Sequence, residues 1–157
     1  MKKKKEKIVA VSGGFDPIHI GHVRYMREAK KLGDKLIVIL NNDHWLRKKK
    51  GKEFMSEKER KEILEALACV DQVIISKHPK NPRDMSIHKE LIKIKPHLFA
   101  NGGDRDKKDA ADPMSSLYKD IEICKKLGIE MVFNVGKGGK IRSSSELLKE
   151  YSKKKKS

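Results

Sequence analysis

Cysteine is nearly absent from this chain of 157 residues: Cys69 and Cys124 stand alone, each in a helix-like stretch, with no second thiol at metal or redox spacing. That excludes a disulfide framework and reads both as structural thiols. Long apolar runs are missing too. The longest reach five or six residues, against the ~20 that a spanning helix needs, so no membrane insertion is predicted. The basic N-terminus leads straight into Ile8-Val9-Ala10-Val11 rather than into a longer apolar stretch with a small-residue cleavage site. This predicts no signal peptide and a cytoplasmic protein. Acidic residues are in deficit, 22 against 38 Lys plus Arg, for a formal charge of +16. Such a charge points to nucleic acid or an anionic surface, but the terminal runs Lys2–Lys5 and Lys153–Lys156 carry eight of it and leave +8 for the rest. Residues 1–7 and 151–157 read as solvated basic tails. Aromatic residues are 5% of the chain, and none interleaves with those lysines. Nothing there offers base stacking, so nucleic acid is expected only through the tails.

What remains is enough for one domain, read as residues 8–150. At 18.0 kDa a folded chain hides about 70% of its extended surface, which excludes a large multidomain enzyme. The apolar residues are clustered, at 8–11, 36–40, 73–75 and 131–133, and charged, helix-like stretches separate them. Ile- and Val-rich runs alternating with amphipathic segments predict βαβ units, hence an α/β fold: a single Rossmann-like doubly wound domain with a five-stranded parallel sheet. Strands are expected at 8–14, 35–41, 72–76, 97–101 and 129–135, each apolar nearly throughout, as strands covered on both faces should be. Helices are expected at 22–32, ending in a left-handed Gly33; from Ser56, with Glu59 completing a capping box; at 84–94, closed by Pro96; at 113–127, closed by Gly128; and from the serines at 143–145. The two prolines of residues 77–84 predict a loop.

Ligands of open α/β sheets bind beyond the carboxyl ends of the strands. The segments there are SGGFDPIHIGH, NNDHWLRKKKGK, NGGDRDKK and NVGKGGKIRSSS, each rich in Gly, His, Asp, Lys or Arg. Gly13 and Gly14 allow a sharp turn off the first strand and a close approach of backbone amides to a phosphate. His19 and His22 flank Gly21 at the start of the first helix, where both imidazoles and the helix amides face one space. Two such donors suit a reaction that builds negative charge on phosphate oxygens. A pair of surface histidines has the same spacing, and metal ligation would need a third ligand that is not evident nearby. His44, His78, His88 and His97 have no convergent partners in sequence and read as structural, as does the lone Trp45.

Gly13-Gly14-Phe15-Asp16-Pro17-Ile18-His19-Ile20-Gly21-His22 resembles the G-x-F-D-x-x-H-x-G-H signature of the cytidylyltransferase-like nucleotidyltransferase superfamily. KLGDKLIVILNND at 31–43, SEKERKEILEAL at 56–67, ANGGD at 100–104 and the serines at 143–145 are similar to its later motifs, in order, over residues 8 to 148. The resemblance implies transfer of a nucleoside monophosphate from CTP or ATP to a phosphorylated polyol or sugar, with release of pyrophosphate. Glycerol-phosphate cytidylyltransferases and heptose-phosphate adenylyltransferases are the two nearest patterns, and the base stays open. It further implies His19 and His22 on the triphosphate, Lys49 bridging donor and acceptor phosphates, and Arg60 as a bidentate phosphate clamp. Nucleotide contacts fall to Gly14, Phe15, Asp16, Gly21, Gly103, Asp104, Ser143, Ser144 and Ser145. The family's arginine ahead of the serines has Lys137, Lys140 or Arg142 as its candidates here. A homodimer is also implied by the resemblance. Mg²⁺ is expected to arrive with the triphosphate, keeping several waters, and no protein metal site is named. A basic nucleic-acid binder or an NTP-sensing module that keeps the fold without turnover is the alternative.

Overall fold

The computed structural model describes residues 5–102, 115–136 and 144–156. Five strands form one parallel sheet in the order β3-β2-β1-β4-β5: β1 Ile8–Gly13, β2 Lys35–Leu40, β3 Gln72–Ile75, β4 Leu98–Ala100 and β5 Glu130–Val132. The register pairs Val9 with Leu36 and with Leu98, so β1 lies at the centre. Around the sheet run α1 Ile20–Lys30, α2 Asp43–Lys50, α3 Glu57–Glu65, α4 His88–Ile94, α5 Ser116–Leu127 and α6 Ser144–Lys156. The strands end one to three residues short of their expected limits, because β pairing stops where the chain turns to the ligand edge.

Alternation along the strands divides the core. Val9, Val11, Leu36, Val38 and Leu40 pack with Met26 and Ala29 of α1 and Leu64 of α3 on one face. Ala10, Ile39 and Phe99 pack with Ile87, Leu91 of α4 and Cys124 of α5 on the other. Both faces are covered, which is why the strands read as unbroken apolar runs. Burial holds the Cys124 thiol neutral and pushes its pKa up to about 12. The chain runs outward from β1 through β2 to β3, then crosses back to β4 on the far side of β1. That reversal opens a crevice at the carboxyl ends of β1 and β4.

Three local expectations are corrected. Residues 43–50, where no helix is expected, form α2: Asn42 Oδ1 accepts from Trp45 N at 3.0 Å, Asp43 sits in the first turn, and four basic residues face the negative helix end. Gly51, at φ 89°, ends it. Gly33 is no left-handed stop, since α1 closes on a right-handed Lys31 and the positive-φ glycines among the described residues are Gly51, Gly128 and Gly136. Its lack of a side chain serves packing instead, as a Cβ there would lie 2.7 Å from Val9 Cγ2 and 2.8 Å from the Lys7 carbonyl. Helix α4 starts at His88 rather than 84, because Asp84 and Ser86 bond each other in the loop before it. Gly128, at φ 72°, closes α5 as expected.

Candidate active site

The turn after β1 is built on close packing. A Cβ on Gly13 would meet the Phe15 ring at 2.9 Å, and one on Gly14 would meet Leu46 Cδ2 at 2.9 Å. Neither glycine takes a left-handed conformation; Phe15 does, at φ 48°, with its ring buried. Such a backbone costs about 1–3 kcal/mol and persists only where its surroundings enforce it. Here the enforcement is visible. Asp16, 1% exposed, accepts from Phe54 N at 2.6 Å and from Met55 N at 2.8 Å, one on each oxygen. The aspartate expected at the nucleotide therefore straps the 51–56 loop onto the turn.

Arg60 is also turned inward. Its side chain is fully buried: Nη1 donates to the carbonyls of Gly14 (2.8 Å) and Asn41 (2.7 Å), Nε to Met55 O (3.0 Å), and Nη2 to Asp43 Oδ1 (2.7 Å). The guanidinium ties the β1 turn, the end of β2, the start of α2 and the 51–56 loop into one unit. Its charge is compensated and its donors are engaged inside the protein, so the guanidinium does not stand open as the phosphate clamp expected of it.

His19 and His22 do converge. His19 is the extended N-cap of α1, its Nδ1 accepting from Gly21 N at 3.1 Å, while His22 Nδ1 accepts from His19 N at 3.2 Å. This is a reciprocal cap made of two imidazoles. The rings stack at 3.7 Å and 24°, and Phe15 meets His22 edge-on at 4.9 Å. Gly21 is required because a Cβ would sit 2.9 Å from His19 Cε1. An Nδ1 that accepts an amide hydrogen holds a lone pair, so each neutral ring carries its proton on Nε2. Burial, helped by His19 and by Lys50, lowers the His22 pKa to about 3. His22 is thus a neutral donor at any ordinary pH.

The lysine at this cluster is Lys50. Its Nζ donates to the Asp16 carbonyl at 3.3 Å, and burial lowers its pKa against the opposing pull of Asp16. Lys49 is exposed and lies over the Trp45 ring, 4.9 Å from its centre. The indole is buried as expected, donating Nε1 to Met85 O, with its Cζ3 3.5 Å from a Cβ built on Gly14. Ser144 Oγ donates to Pro17 O at 2.8 Å, which brings the start of α6 to the β1 turn. Gly103, Asp104, Lys137, Lys140, Arg142 and Ser143 lie outside the described residues, as does the Ser145 side chain. The histidines read as structural are so engaged: His78 lies between Ser76 Oγ and Ser86 O, His88 bonds Ser86 Oγ, and His97 Nδ1 accepts from Ile8 N. His44 is half-buried on α2.

Among the described residues no three His, Cys, Asp or Glu side chains converge to hold a metal. Asp16 and Asp43, the carboxylates nearest the turn, are committed to backbone amides and to Arg60. No helix of the described chain is long and apolar enough to cross a membrane.

The family profile described as cytidylyltransferase-like matches residues 10–145. The chain belongs to that family. It is 39% identical over 105 residues to the bifunctional protein HldE of Pelobacter propionicus, a match covering 66% of this chain and 20% of that protein. It is 44% identical over 100 residues to the FAD synthase of Pyrococcus horikoshii, covering 62% and 64% respectively. The matches thus span a fifth of the one relative's length and under two thirds of the other's. A lipopolysaccharide core biosynthesis protein of Thermoplasma volcanium superposes with a TM-score of 0.66 at 27% identity, over 84% of this chain and 98% of that one. The single Rossmann-like α/β domain with five parallel strands is the fold such proteins share.

Neither Lys50 nor Asn41 is singled out by the sequence. Lys50 was masked by its neighbours Arg47, Lys48 and Lys49; recognising α2 from its Asn42 cap and Gly51 stop would have separated them. Asn41 gives no sequence signal beyond following β2.

Proposed function

We propose that this chain is a nucleotidyltransferase that moves a nucleoside monophosphate from ATP or CTP to the phosphate of a small acceptor. An acceptor phosphate oxygen attacks the α-phosphorus, forming the new P–O bond. The bond from the α-phosphorus to the bridging oxygen breaks, and its electron pair leaves on pyrophosphate. The nucleophile is already anionic, so no general base is needed, and the protein's part is positioning and charge stabilisation. The observation that supports this reading is the stacked His19–His22 pair, whose Nδ1 atoms bond the helix amides and leave an N–H on each Nε2. Such fixed donors, neutral at His22, can bond a crowded phosphate oxygen.

In the same reading Lys50 supplies the positive charge between donor and acceptor phosphates, a role the resemblance alone assigned to Lys49. The start of α6 at Ser144 takes the β and γ phosphates. Mg²⁺ travels with the triphosphate, and no step by a protein residue depends on it. The likeness to an FAD synthase favours ATP over CTP as donor, since FAD is an AMP joined to FMN. FMN accordingly joins sugar and polyol phosphates as a candidate acceptor.

The test is pyrophosphate release from each of the four common NTPs against FMN, glycerol 3-phosphate and a set of sugar 1-phosphates. His19→Asn is the control, because asparagine keeps the N-cap oxygen but removes the Nε2 donor. Release that needs one NTP and one acceptor, and falls in the control, is the expected result. Release without an acceptor would make the chain an NTP pyrophosphatase instead. Binding of NTP with silence across the panel would favour the sensing module.

A further inference from the structure

Arg60 Nη1 fixes the backbone of Asn41 by its carbonyl, and Gly13 O takes its amide hydrogen at 3.0 Å. Strand alternation then sets the side chain. Leu40 packs on the α1/α3 face and Ile39 on the α4/α5 face, so Asn41 projects on the same side as Ile39 and as Ser12, the register partner of Ile39. Asn41 is 3% exposed, and its side-chain oxygen takes no hydrogen bond among the described residues. Its neighbour Asn42 shows what a satisfied amide looks like here: Oδ1 accepts from Trp45 N, Nδ2 donates to His78 O, and its backbone N donates to Ser76 Oγ. A buried polar atom without a partner costs roughly 1–3 kcal/mol, so it calls for an explanation.

We propose that Asn41 is a specificity residue for the acceptor and that its carboxamide takes the hydrogen of an acceptor hydroxyl. This inference rests on the transferase reading above. Its position sets it apart: Asn41 stands at the end of β2, across β1 from β4 and Gly102. The wall on that side is rigid, because Trp45 Nε1 holds Met85 O and His78 Nε2 holds Ser86 O. Hydroxyl is the matching chemistry because exchanging the amide's O and N leaves a polar atom at the same place. A hydroxyl donates to oxygen and accepts from nitrogen, so it fits either way. The acceptor class is thus a phosphate carried on a hydroxyl-bearing chain or ring, such as a polyol, a sugar or the ribityl arm of FMN.

The experiment takes whichever of FMN, glycerol 3-phosphate or the sugar 1-phosphates supports pyrophosphate release, with its singly deoxygenated analogues, and compares the wild type with Asn41→Leu and Asn41→Asp. Asn41→Leu is expected to raise the acceptor KM about ten-fold or more. The NTP Kd by calorimetry should stay within two-fold and Tm should hold or rise. One deoxy analogue should lose as much against the wild type and lose nothing further against Asn41→Leu. Asn41→Asp, which keeps an acceptor oxygen at the same place, should restore part of the discrimination. An unchanged acceptor KM, or an NTP Kd that moves as far as KM, would overturn the assignment while leaving the transferase standing. A Tm that drops with no deoxy analogue singled out would make Asn41 structural. Wild-type silence with every acceptor would bring down the transferase reading first, and this one with it.

Discussion

The two flanks of β1 at the ligand edge are finished to different degrees. On the α1 flank the frame is tied together: both imidazole Nδ1 atoms, both Asp16 oxygens and the Arg60 guanidinium, with its four acceptors, have their partners. On the α4/α5 flank the Asn41 oxygen stands buried without a donor. A satisfied network is stiff and costly to disturb, whereas an unsatisfied group waits for something to complete it. On the proposed reading the first flank carries the machinery of the reaction, and the second is where one acceptor is told from others. Breaking the stiff flank should cost stability or rate, and altering the open one should change acceptor KM and selectivity without loss of stability.

The largest effect is expected at Arg60. Arg60→Met leaves Asp43 without its counter-charge and three carbonyls without their donor, around a side chain that is itself fully buried. Loss of one partner from a buried pair costs ~3–5 kcal/mol. Urea denaturation should show a lower midpoint by that amount, or no folded protein. Arg60→Lys should rescue little, since one ammonium cannot reach four acceptors in a plane. A phosphate clamp would behave otherwise: the midpoint would hold and the loss would fall on phosphate affinity. His19→Asn comes next. With the cap oxygen kept, the midpoint should change by less than ~1 kcal/mol, while kcat falls by a factor on the order of 10²–10³, the usual loss for one preorganised donor. A fall in NTP affinity equal to the fall in rate would mean that the histidine binds substrate without favouring the transition state.

Much of this frame was legible in the sequence, and what was not has identifiable causes. The sheet and its helices follow from apolar runs of the right length, and the His19–His22 pair from a spacing that only a helix start brings together. Asp16 and Arg60 were expected as ligand contacts because the resemblance places them there, and a charge at such a position suits a phosphate as readily as an internal tie. Burial decides between them, and burial of a charge depends on partners 17 to 46 residues away. Helix α2 was hidden by its composition, since four consecutive basic residues look like a loop until the Asn42 cap and the Gly51 stop are weighed. Asn41 was invisible, because a missing partner leaves no trace in a sequence.

The two lysines after Trp45 allow a finer cut. Lys50→Met should lower kcat/KM by roughly ten- to a hundred-fold, the scale of one charge-assisted contact to phosphate. Lys49→Met should stay within about two-fold, as its amine lies over an indole and in solvent. Equal losses would return the bridging role to Lys49 and place the 49–51 segment differently in the working enzyme.

The smallest effect is set by pH, and its sign follows from His22. In the folded chain this imidazole binds a proton only near a pKa of about 3, whereas in the unfolded chain it does so near 6.5. Between those values the unfolded state holds more protons, so His22 favours folding fully above pH 6.5 and progressively less as pH falls toward 3. From pH 7.5 to 5.5 this amounts to roughly 1 kcal/mol. It is measurable as the difference in pH-dependent midpoint between the wild type and His22→Gln, which cancels the carboxylates that titrate in both. The rate should behave differently over the same window: kcat/KM should show no limb near 6.5 from His22, because the donor is neutral throughout. A limb there that vanishes in His22→Gln would mean that the ring works as a cation and that Nε2 is reached by more water than its burial allows.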